Sequence, residues 1–126
     1  MKPNVIVVDD HALYRRSLVT MMSVENIANV IGEASDGMEF LQLLPRLKPD
    51  LVLMDIDMPG MNGIEASQKA LELIPGLKII IFTMFEDEQF YEKMIEVGAK
   101  GYILKTNDLS EIEHAIHNVM DGKEYF

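Results

Sequence analysis

The sequence predicts a single α/β domain in which a parallel β-sheet carries helices on both faces. Five short apolar runs alternate with five stretches of helical periodicity, the order expected of strands joined by crossover helices. The apolar runs are nearly continuous, which is typical of strands buried on both faces of a sheet. The 126 residues suffice for one domain of ordinary size, and no second domain is expected.

The five predicted strands are the apolar runs that end at polar or turn-forming residues. They are residues 4–8, 28–33, 50–54, 78–82 and 101–104. In an open parallel sheet, ligands bind beyond the carboxyl ends of the strands. The residues that follow each strand are therefore the first place to look for a site.

The helices are predicted from apolar residues spaced three and four apart. The first helix covers residues 11–24, and the second follows an N-cap at Asp36. The third lies between the turns Pro59-Gly60 and Pro75-Gly76. The fourth runs from Glu86 to a stop at Gly98, and the last is capped by Asn107 or Asp108. Pro45 is expected to distort the last turn of the second helix.

Composition excludes several classes of function. The formal net charge is −10, from 21 acidic and 11 basic residues, and such a field repels a phosphate backbone, so we expect no nucleic acid partner for this chain alone. No apolar stretch approaches the roughly 18 residues of a membrane span, and the N-terminus lacks the features of a signal peptide. Cysteine is absent, which excludes disulfides and thiolate metal sites. We expect a cytoplasmic protein without membrane association.

Four of the five predicted strands are followed by a reactive polar residue. Asp9 and Asp10 follow the first strand, Asp55 the third, Thr83 the fourth and Lys105 the fifth. A single residue of this kind would be explained as the cap of the next helix, because aspartate and threonine are common N-caps. Four strands ending in this way at one edge of a parallel sheet are much harder to explain by capping. We therefore predict a polar site at that edge.

The carboxylates of this site predict a divalent cation. Carboxylates about 4 Å apart repel each other by roughly 4 kcal/mol per pair at an effective dielectric near 20, so they require a cation or a proton. A few oxygen ligands without thiolates or clustered imidazoles suit Mg²⁺ better than a full Ca²⁺ cage. We expect Mg²⁺, with Mn²⁺ as a possible substitute.

A carboxylate beside such a cation is suited to phosphoryl transfer. One oxygen of Asp55 and a phosphoryl group can share the metal, while the other oxygen attacks phosphorus. The reaction depends on positioning and charge neutralisation, so donors to the phosphoryl oxygens are needed, and Thr83 and Lys105 supply them. With strands about 4.8 Å apart, a hydroxyl reaches across one strand spacing, whereas crossing two takes a lysine stem. These residue types fit a sheet in which the third, fourth and fifth strands are neighbours.

These residues resemble the receiver domains of two-component response regulators. The similarity covers essentially the whole chain and rests on four segments in the order and spacing of that family: Val5 to His11, Leu53 to Gly63, Phe82-Thr83 and Gly101 to Lys105. The resemblance implies a flavodoxin-like (βα)5 fold with strand order 2-1-3-4-5. It also implies that residues 1–126 form a receiver domain.

The resemblance further implies a role for each site residue. Asp55 would accept a phosphoryl group from a phosphohistidine on a sensor histidine kinase. Thr83 and Lys105 match the hydroxyl and the lysine that contact that group, and Tyr102 matches an aromatic switch that turns inward when Thr83 moves. The implied ligands of Mg²⁺ are Asp55, Asp9 or Asp10, and the backbone carbonyl of Asp57.

The first and last segments look most like the branch of the family with a C-terminal LuxR-type helix-turn-helix. This likeness implies an output in transcription through a DNA-binding domain that lies outside this chain. A regulator consisting of the receiver alone is the alternative. Dimerisation on phosphorylation is expected in either case.

Two other interpretations of the same residues remain. Asp55 and Asp57 also look like the Asp-x-Asp motif of haloacid-dehalogenase phosphatases, but here the motif follows the third predicted strand instead of the first, and Met58-Pro59 stands where Thr or Val is expected. A pseudo-receiver that acts only as an interaction module would leave the whole site idle. We expect a phosphoacceptor that, with Mg²⁺, phosphorylates itself from small donors and dephosphorylates itself again, and that is not a turnover enzyme.

Overall fold

The computed structural model describes residues 2–84, 87–106 and 108–126. Strands and helices alternate along the chain. The strands are β1 (Asn4–Val8), β2 (Asn29–Ala34), β3 (Leu51–Asp55), β4 (Lys78–Thr83) and β5 (Gly101–Leu104). The helices are α1 (Ala12–Val24), α2 (Gly37–Leu47), α3 (Gly63–Leu73), α4 (Glu88–Val97) and α5 (Leu109–Met120).

The strands form one parallel sheet in the order β2-β1-β3-β4-β5. This confirms both the α/β fold and the strand order that the resemblance implied. The direction in which strands are added reverses between β1 and β3. From β1 the chain crosses to β2 on one side of this pair, and from β3 it crosses to β4 on the other side. The carboxyl ends of β1 and β3 flank the crevice where ligands bind in this architecture.

Alternate residues of each strand face two separate hydrophobic cores. On β1, for example, Ile6 and Val8 pack with α2, α3 and α4, whereas Val5 and Val7 pack with α1 and α5. Because side chains alternate along a strand, a sheet covered on both faces needs apolar residues at every position. The continuous apolar runs in the sequence have this physical cause.

The predicted boundaries agree with the structure to within one or two residues. β1 and β5 match, β2 starts one residue later, and β3 and β4 extend one residue further, because Asp55 and Thr83 still pair with the neighbouring strand. The side chains of Asp36 and Asp108 accept hydrogen bonds from the third residue of their helices, as N-caps do. The predicted helix start at Glu86 and the alternative cap Asn107 lie outside the described residues.

Two further features concern the helices. α2 continues through Pro45 to Leu47. Gly98 ends α4 in the left-handed conformation, with φ of 100°, as a glycine C-cap does.

Among the described residues, no helix combines the length and apolar character that a membrane crossing requires.

Candidate functional site

The structure brings the predicted polar residues together at the carboxyl edge of the sheet. Asp9 directly follows β1, Asp55 and Thr83 are the last residues of β3 and β4, and Lys105 directly follows β5. The register aligns these ends: Val8 lies opposite Met54, Asp55 opposite Phe82, and Thr83 opposite Leu104. The lengths and register of the strands therefore place these side chains next to one another at one edge of the sheet.

Three carboxylates form the centre of the site. Asp9, Asp10 and Asp55, together with His11, each offer a ligand atom, and these atoms all lie within 4.8 Å of one another. Asp9 and Asp55 are buried and Asp10 is half-buried, whereas His11 is largely exposed. The backbone amide of His11 donates to Oδ1 of Asp9 at 2.9 Å, which fixes one oxygen of that carboxylate.

Lys105 lies between two of these carboxylates. Its Nζ is 2.9 Å from Oδ2 of Asp9 and 3.3 Å from Oδ2 of Asp55, and its side chain is 3% exposed. The long stem crosses from β5 past β4 to β3, as the sequence predicted for a lysine two strands from Asp55. Thr83 lies on the intervening strand and is buried.

Three carboxylate oxygens at this site fit a cation. Oδ2 of Asp9, Oδ1 of Asp10 and Oδ2 of Asp55 are buried and accept no well-aligned hydrogen bond from the described residues, although Lys105 faces two of them at ion-pair distance and Nδ1 of His11 lies 3.2 Å from the third. One ammonium group does not balance three carboxylates this close together, so a cation would stabilise the cluster. Hard oxygen donors of this kind suit a divalent cation such as Mg²⁺. The acidic cluster can therefore hold a metal ion.

The surroundings disfavour the negative charge of Asp55. Burial is the largest cause and raises the pKa of Asp55; nearby Asp9 also raises it, while Lys105 lowers it, and the net result is a pKa of about 7. With no metal bound, Asp55 therefore holds a proton to a higher pH than an exposed aspartate does. A bound cation would favour the ionised form, which is the nucleophilic form of a carboxylate.

Two aromatic rings line the other side of Lys105, and the sequence did not reveal them as site residues. Nζ of Lys105 lies 4.9 Å from the ring centre of Tyr14 and 5.1 Å from that of Phe82. The two rings are themselves stacked, with centroids 6.1 Å apart. Burial, followed by the charges of Asp9 and Asp55, raises the pKa of Tyr14 to about 12, so its hydroxyl stays protonated at neutral pH.

Arg15 supports the acidic cluster from α1 and was also missed. Its Nη1 donates to the backbone oxygen of Asp9 at 2.5 Å, and its Nε donates to Glu33 on β2 at 3.0 Å. This contact holds the start of the β1–α1 loop against β2. The sequence did not predict this contact, because an arginine on the first turn of a helix is usually an exposed surface residue.

The loop after β3 is closed by a glycine. The amide of Gly63 donates to the backbone oxygen of Ile56 at 2.9 Å, and a Cβ at this position would lie 1.9 Å from the backbone oxygen of Asp55. Asn62 caps the helix that follows, and Ser67 donates to the oxygen of Gly63 at 2.7 Å. The loop that carries Asp57, whose side chain is exposed, is therefore folded back tightly on the phosphoacceptor candidate.

Tyr102 lies on the outer strand β5 in a chain of aromatic contacts. Its ring packs edge-on against Tyr91 of α4, with centroids 5.7 Å apart, and Tyr91 packs in the same way against Phe126. The amide of Tyr102 donates to the backbone oxygen of Tyr125 at 2.8 Å. The half-buried Tyr102 thus connects α4 with the C-terminal residues.

The fold and site define a class of protein: a flavodoxin-like domain with an acidic cluster that could hold a cation and a lysine at the carboxyl edge of its sheet. The chain belongs to the response regulator receiver domain family, whose model matches residues 5–117. It is a receiver domain of the two-component response regulators, a signalling module.

Characterised relatives agree with this assignment. Response regulator GacA of Pseudomonas aeruginosa is 40% identical over 121 residues, which are 96% of this chain and 56% of GacA. Transcriptional regulatory protein LiaR of Bacillus subtilis is 40% identical over 119 residues, which are 94% of this chain and 56% of LiaR. The chain spans about half the length of these relatives.

A solved structure agrees as well. A two-component response regulator of the LuxR family from Aurantimonas sp. SI85-9A1 superposes with a TM-score of 0.95 at 32% identity, covering 100% of this chain and 90% of that one. The similarity to the LuxR branch, noted from the first and last sequence segments, is thereby confirmed.

Proposed function

We propose that this receiver domain accepts a phosphoryl group on Asp55 from the phosphohistidine of a sensor histidine kinase. The observation that carries the proposal is the position of Asp55, buried at the carboxyl edge close to the carboxylates of Asp9 and Asp10 and to the ammonium of Lys105. No capping role requires this arrangement. It supplies a nucleophile, positive charge and space for a cation at one point.

In the proposed transfer, a carboxylate oxygen of Asp55 attacks phosphorus. A phosphorus–oxygen bond forms, the phosphorus–nitrogen bond of the phosphohistidine breaks, and the imidazole leaves with the electron pair and takes up a proton. A small acyl phosphate would also serve as donor, because its carboxylate leaves in place of the imidazole. The domain would thus be phosphorylated without the kinase, once per molecule, and does not act as a turnover enzyme.

The proposed metal ligands are carboxylates and one carbonyl. Asp55 and either Asp9 or Asp10, with the backbone carbonyl of Asp57, would hold Mg²⁺, for which Mn²⁺ can substitute. When bound, the ion neutralises negative charge on the phosphoryl oxygens. Lys105 and the hydroxyl of Thr83 supply the remaining positive charge and hydrogen bonding to those oxygens. Their burial excludes water, which strengthens both interactions.

Incubation with an acyl phosphate tests the proposal. In the presence of Mg²⁺ and acetyl phosphate, we expect the chain to gain one phosphoryl group, measured by intact mass, and Asp55→Asn to gain none. The exposed carboxylate of Asp121 provides a matched control, and Asp121→Asn should be phosphorylated like the wild type. Removing Mg²⁺ with a chelator should stop the reaction, and Mn²⁺ should restore it.

The same assay separates the alternatives. A pseudo-receiver would remain unphosphorylated under all of these conditions. A phosphatase would turn over many equivalents of a phosphomonoester, which the receiver should leave intact. Phosphorylation of Asp55→Asn at the wild-type rate would contradict the proposal directly.

We further propose that phosphorylation changes the surface formed by α4, β5 and α5. The phosphoryl group adds about two negative charges, which would draw Thr83 toward it and let Tyr102, whose ring packs edge-on against Tyr91, turn inward. We expect the phosphorylated domain to dimerise and to elute earlier in size-exclusion chromatography, with altered amide signals for Tyr102. Unchanged elution and unchanged amide signals outside the site would contradict this switch.

The output that we propose is control of transcription in the cytoplasm. LiaR is named a transcriptional regulatory protein, and the residues that match this chain make up 56% of its length. In the whole regulator, a C-terminal helix-turn-helix domain would bind DNA. The receiver itself, with its net charge of −10, would leave nucleic acid to that domain.

A further inference from the structure

The ammonium of Lys105 is held between charges on one side and aromatic rings on the other. Asp9 and Asp55 face it at 2.9 Å and 3.3 Å, while the rings of Tyr14 and Phe82 lie 4.9 Å and 5.1 Å from Nζ. The two rings stack on each other with an interplanar angle of 29°. The rings of Tyr14 and Phe82, here together called the aromatic slot, cover this side of the ammonium.

An aromatic wall has a specific effect on a buried lysine. The face of the ring attracts the cation, and the interaction strengthens where water is excluded, as it is around this 3% exposed side chain. The ring faces do not compete with the carboxylates as strong hydrogen-bond acceptors. Contact with the aromatic slot therefore does not divert the N–H groups of Lys105 from the carboxylates of Asp9 and Asp55.

The two rings differ in what else they do. Phe82 is fully buried in the core on β4, so its place is explained by packing. Tyr14 is only partly buried on the first turn of α1, where it packs at the edge of the same core. Its hydroxyl stays protonated because burial and the nearby aspartates raise its pKa to about 12, so it adds no negative charge.

We propose that Tyr14 is a positioning residue for phosphoryl transfer, which acts by holding the ammonium of Lys105 toward Asp55 through the face of its ring. The inference rests on the proposed function, because it needs Lys105 to contact the phosphoryl group. The feature required of residue 14 is the aromatic ring, and neither its hydroxyl nor its bulk alone meets the requirement.

The test compares Tyr14→Leu, Tyr14→Phe and Lys105→Met, with the double variant Tyr14→Leu/Lys105→Met. Val19→Ala is the matched control, since Val19 packs against the same core from the same helix but lies outside the site. For each protein, the rate of phosphorylation is measured at saturating acetyl phosphate and Mg²⁺. The Mg²⁺ affinity is measured separately by calorimetry.

We expect Tyr14→Leu to lower the rate about tenfold and Tyr14→Phe to restore it to within about twofold of the wild type. In the Lys105→Met background, Tyr14→Leu should change the rate less than about twofold, because the two residues act through one contact. Tyr14→Leu should leave the Mg²⁺ affinity unchanged or higher, since a displaced ammonium competes less for the carboxylates. General loss of packing would instead lower rate and affinity together.

Three results would overturn the inference. They are a wild-type rate for Tyr14→Leu, an equal loss in both backgrounds, or an equal loss of rate in Val19→Ala. If Lys105→Met does not fold at the assay temperature, the inference is tested by Tyr14→Leu alone. Its rate must then fall while its Mg²⁺ affinity stays the same or rises, and any other result overturns the inference. Failure of the proposed function looks different: the wild-type chain itself would not be phosphorylated, or Lys105→Met would react as fast as the wild type.

Discussion

Replacing Lys105 with methionine is expected to lower the free energy of unfolding by about 3 kcal/mol at pH 8.5, because it leaves buried carboxylates without their cation. Nζ of Lys105 lies within 3.3 Å of both Asp9 and Asp55, and all three side chains are almost fully buried. Methionine preserves the apolar stem, so the loss reports on charge. Denaturant unfolding without divalent cations measures it.

The loss should depend on pH through Asp55. In the folded wild type, the pKa of Asp55 is raised from 3.8 to about 7, so the folded protein binds the proton more tightly than the unfolded chain. Stability from this group is therefore greatest below pH 3.8, falls as the pH rises toward 7, and is constant above that. Lys105 lowers this pKa, so in Lys105→Met the decline continues above pH 7.

The difference between wild type and variant should accordingly be larger at pH 8.5 than at pH 6. The exposed Lys100 offers a matched control, and Lys100→Met should change stability by less than about 0.5 kcal/mol. Added Mg²⁺ should recover part of the loss in Lys105→Met, because a metal on the carboxylates takes over the role of the ammonium. A loss that is equal at both pH values would contradict the assignment to Asp55.

Replacing Gly63 with alanine is expected to destabilise the domain by about 3 kcal/mol and to weaken Mg²⁺ binding. The new Cβ would lie 1.9 Å from the backbone oxygen of Asp55, a backbone contact that no side-chain rotation relieves. Either the start of α3 or the end of β3 must move, and overpacking of this kind costs about 1–3 kcal/mol or more. Because Asp55 itself is displaced, its metal site should suffer as well.

Gly76 is the matched control for this substitution. A Cβ there meets no atom within 4 Å and its backbone is not left-handed, so Gly76→Ala should be neutral or slightly stabilising. Thermal unfolding and Mg²⁺ titration of both variants measure the effects. Wild-type stability for Gly63→Ala would show that the loop after β3 relaxes without disturbing Asp55.

Much of the fold was predictable because its signals are local. Each strand is a short apolar run, and in four of the five the polar residue at its end is also a site residue, so one pattern located both β3 and Asp55. Parallel topology then brought Asp9 and Lys105 to the same edge. The prediction needed no knowledge of side-chain contacts, since strand ends alone determine which residues meet.

The parts that the sequence did not reveal depend on contacts in three dimensions that no local pattern of residues shows. Tyr14 is spaced like any core-facing residue of α1, and only the structure shows its ring against Lys105. In the sequence Gly63 looks like the end of a turn. The structure shows that glycine is needed there because a Cβ would collide with the backbone oxygen of Asp55, eight positions earlier. Arg15 likewise reads as a surface residue, although it donates to the backbone of Asp9.

The most direct measurement of the central claim is the location of the phosphoryl group. Borohydride reduces an aspartyl phosphate to homoserine, and peptide mass spectrometry then identifies the residue that carried it. After reaction with acetyl phosphate and Mg²⁺, we expect homoserine at position 55 alone. Homoserine at position 9, 10 or 57, or none in a chain that has gained a phosphoryl group, would contradict Asp55 as the acceptor.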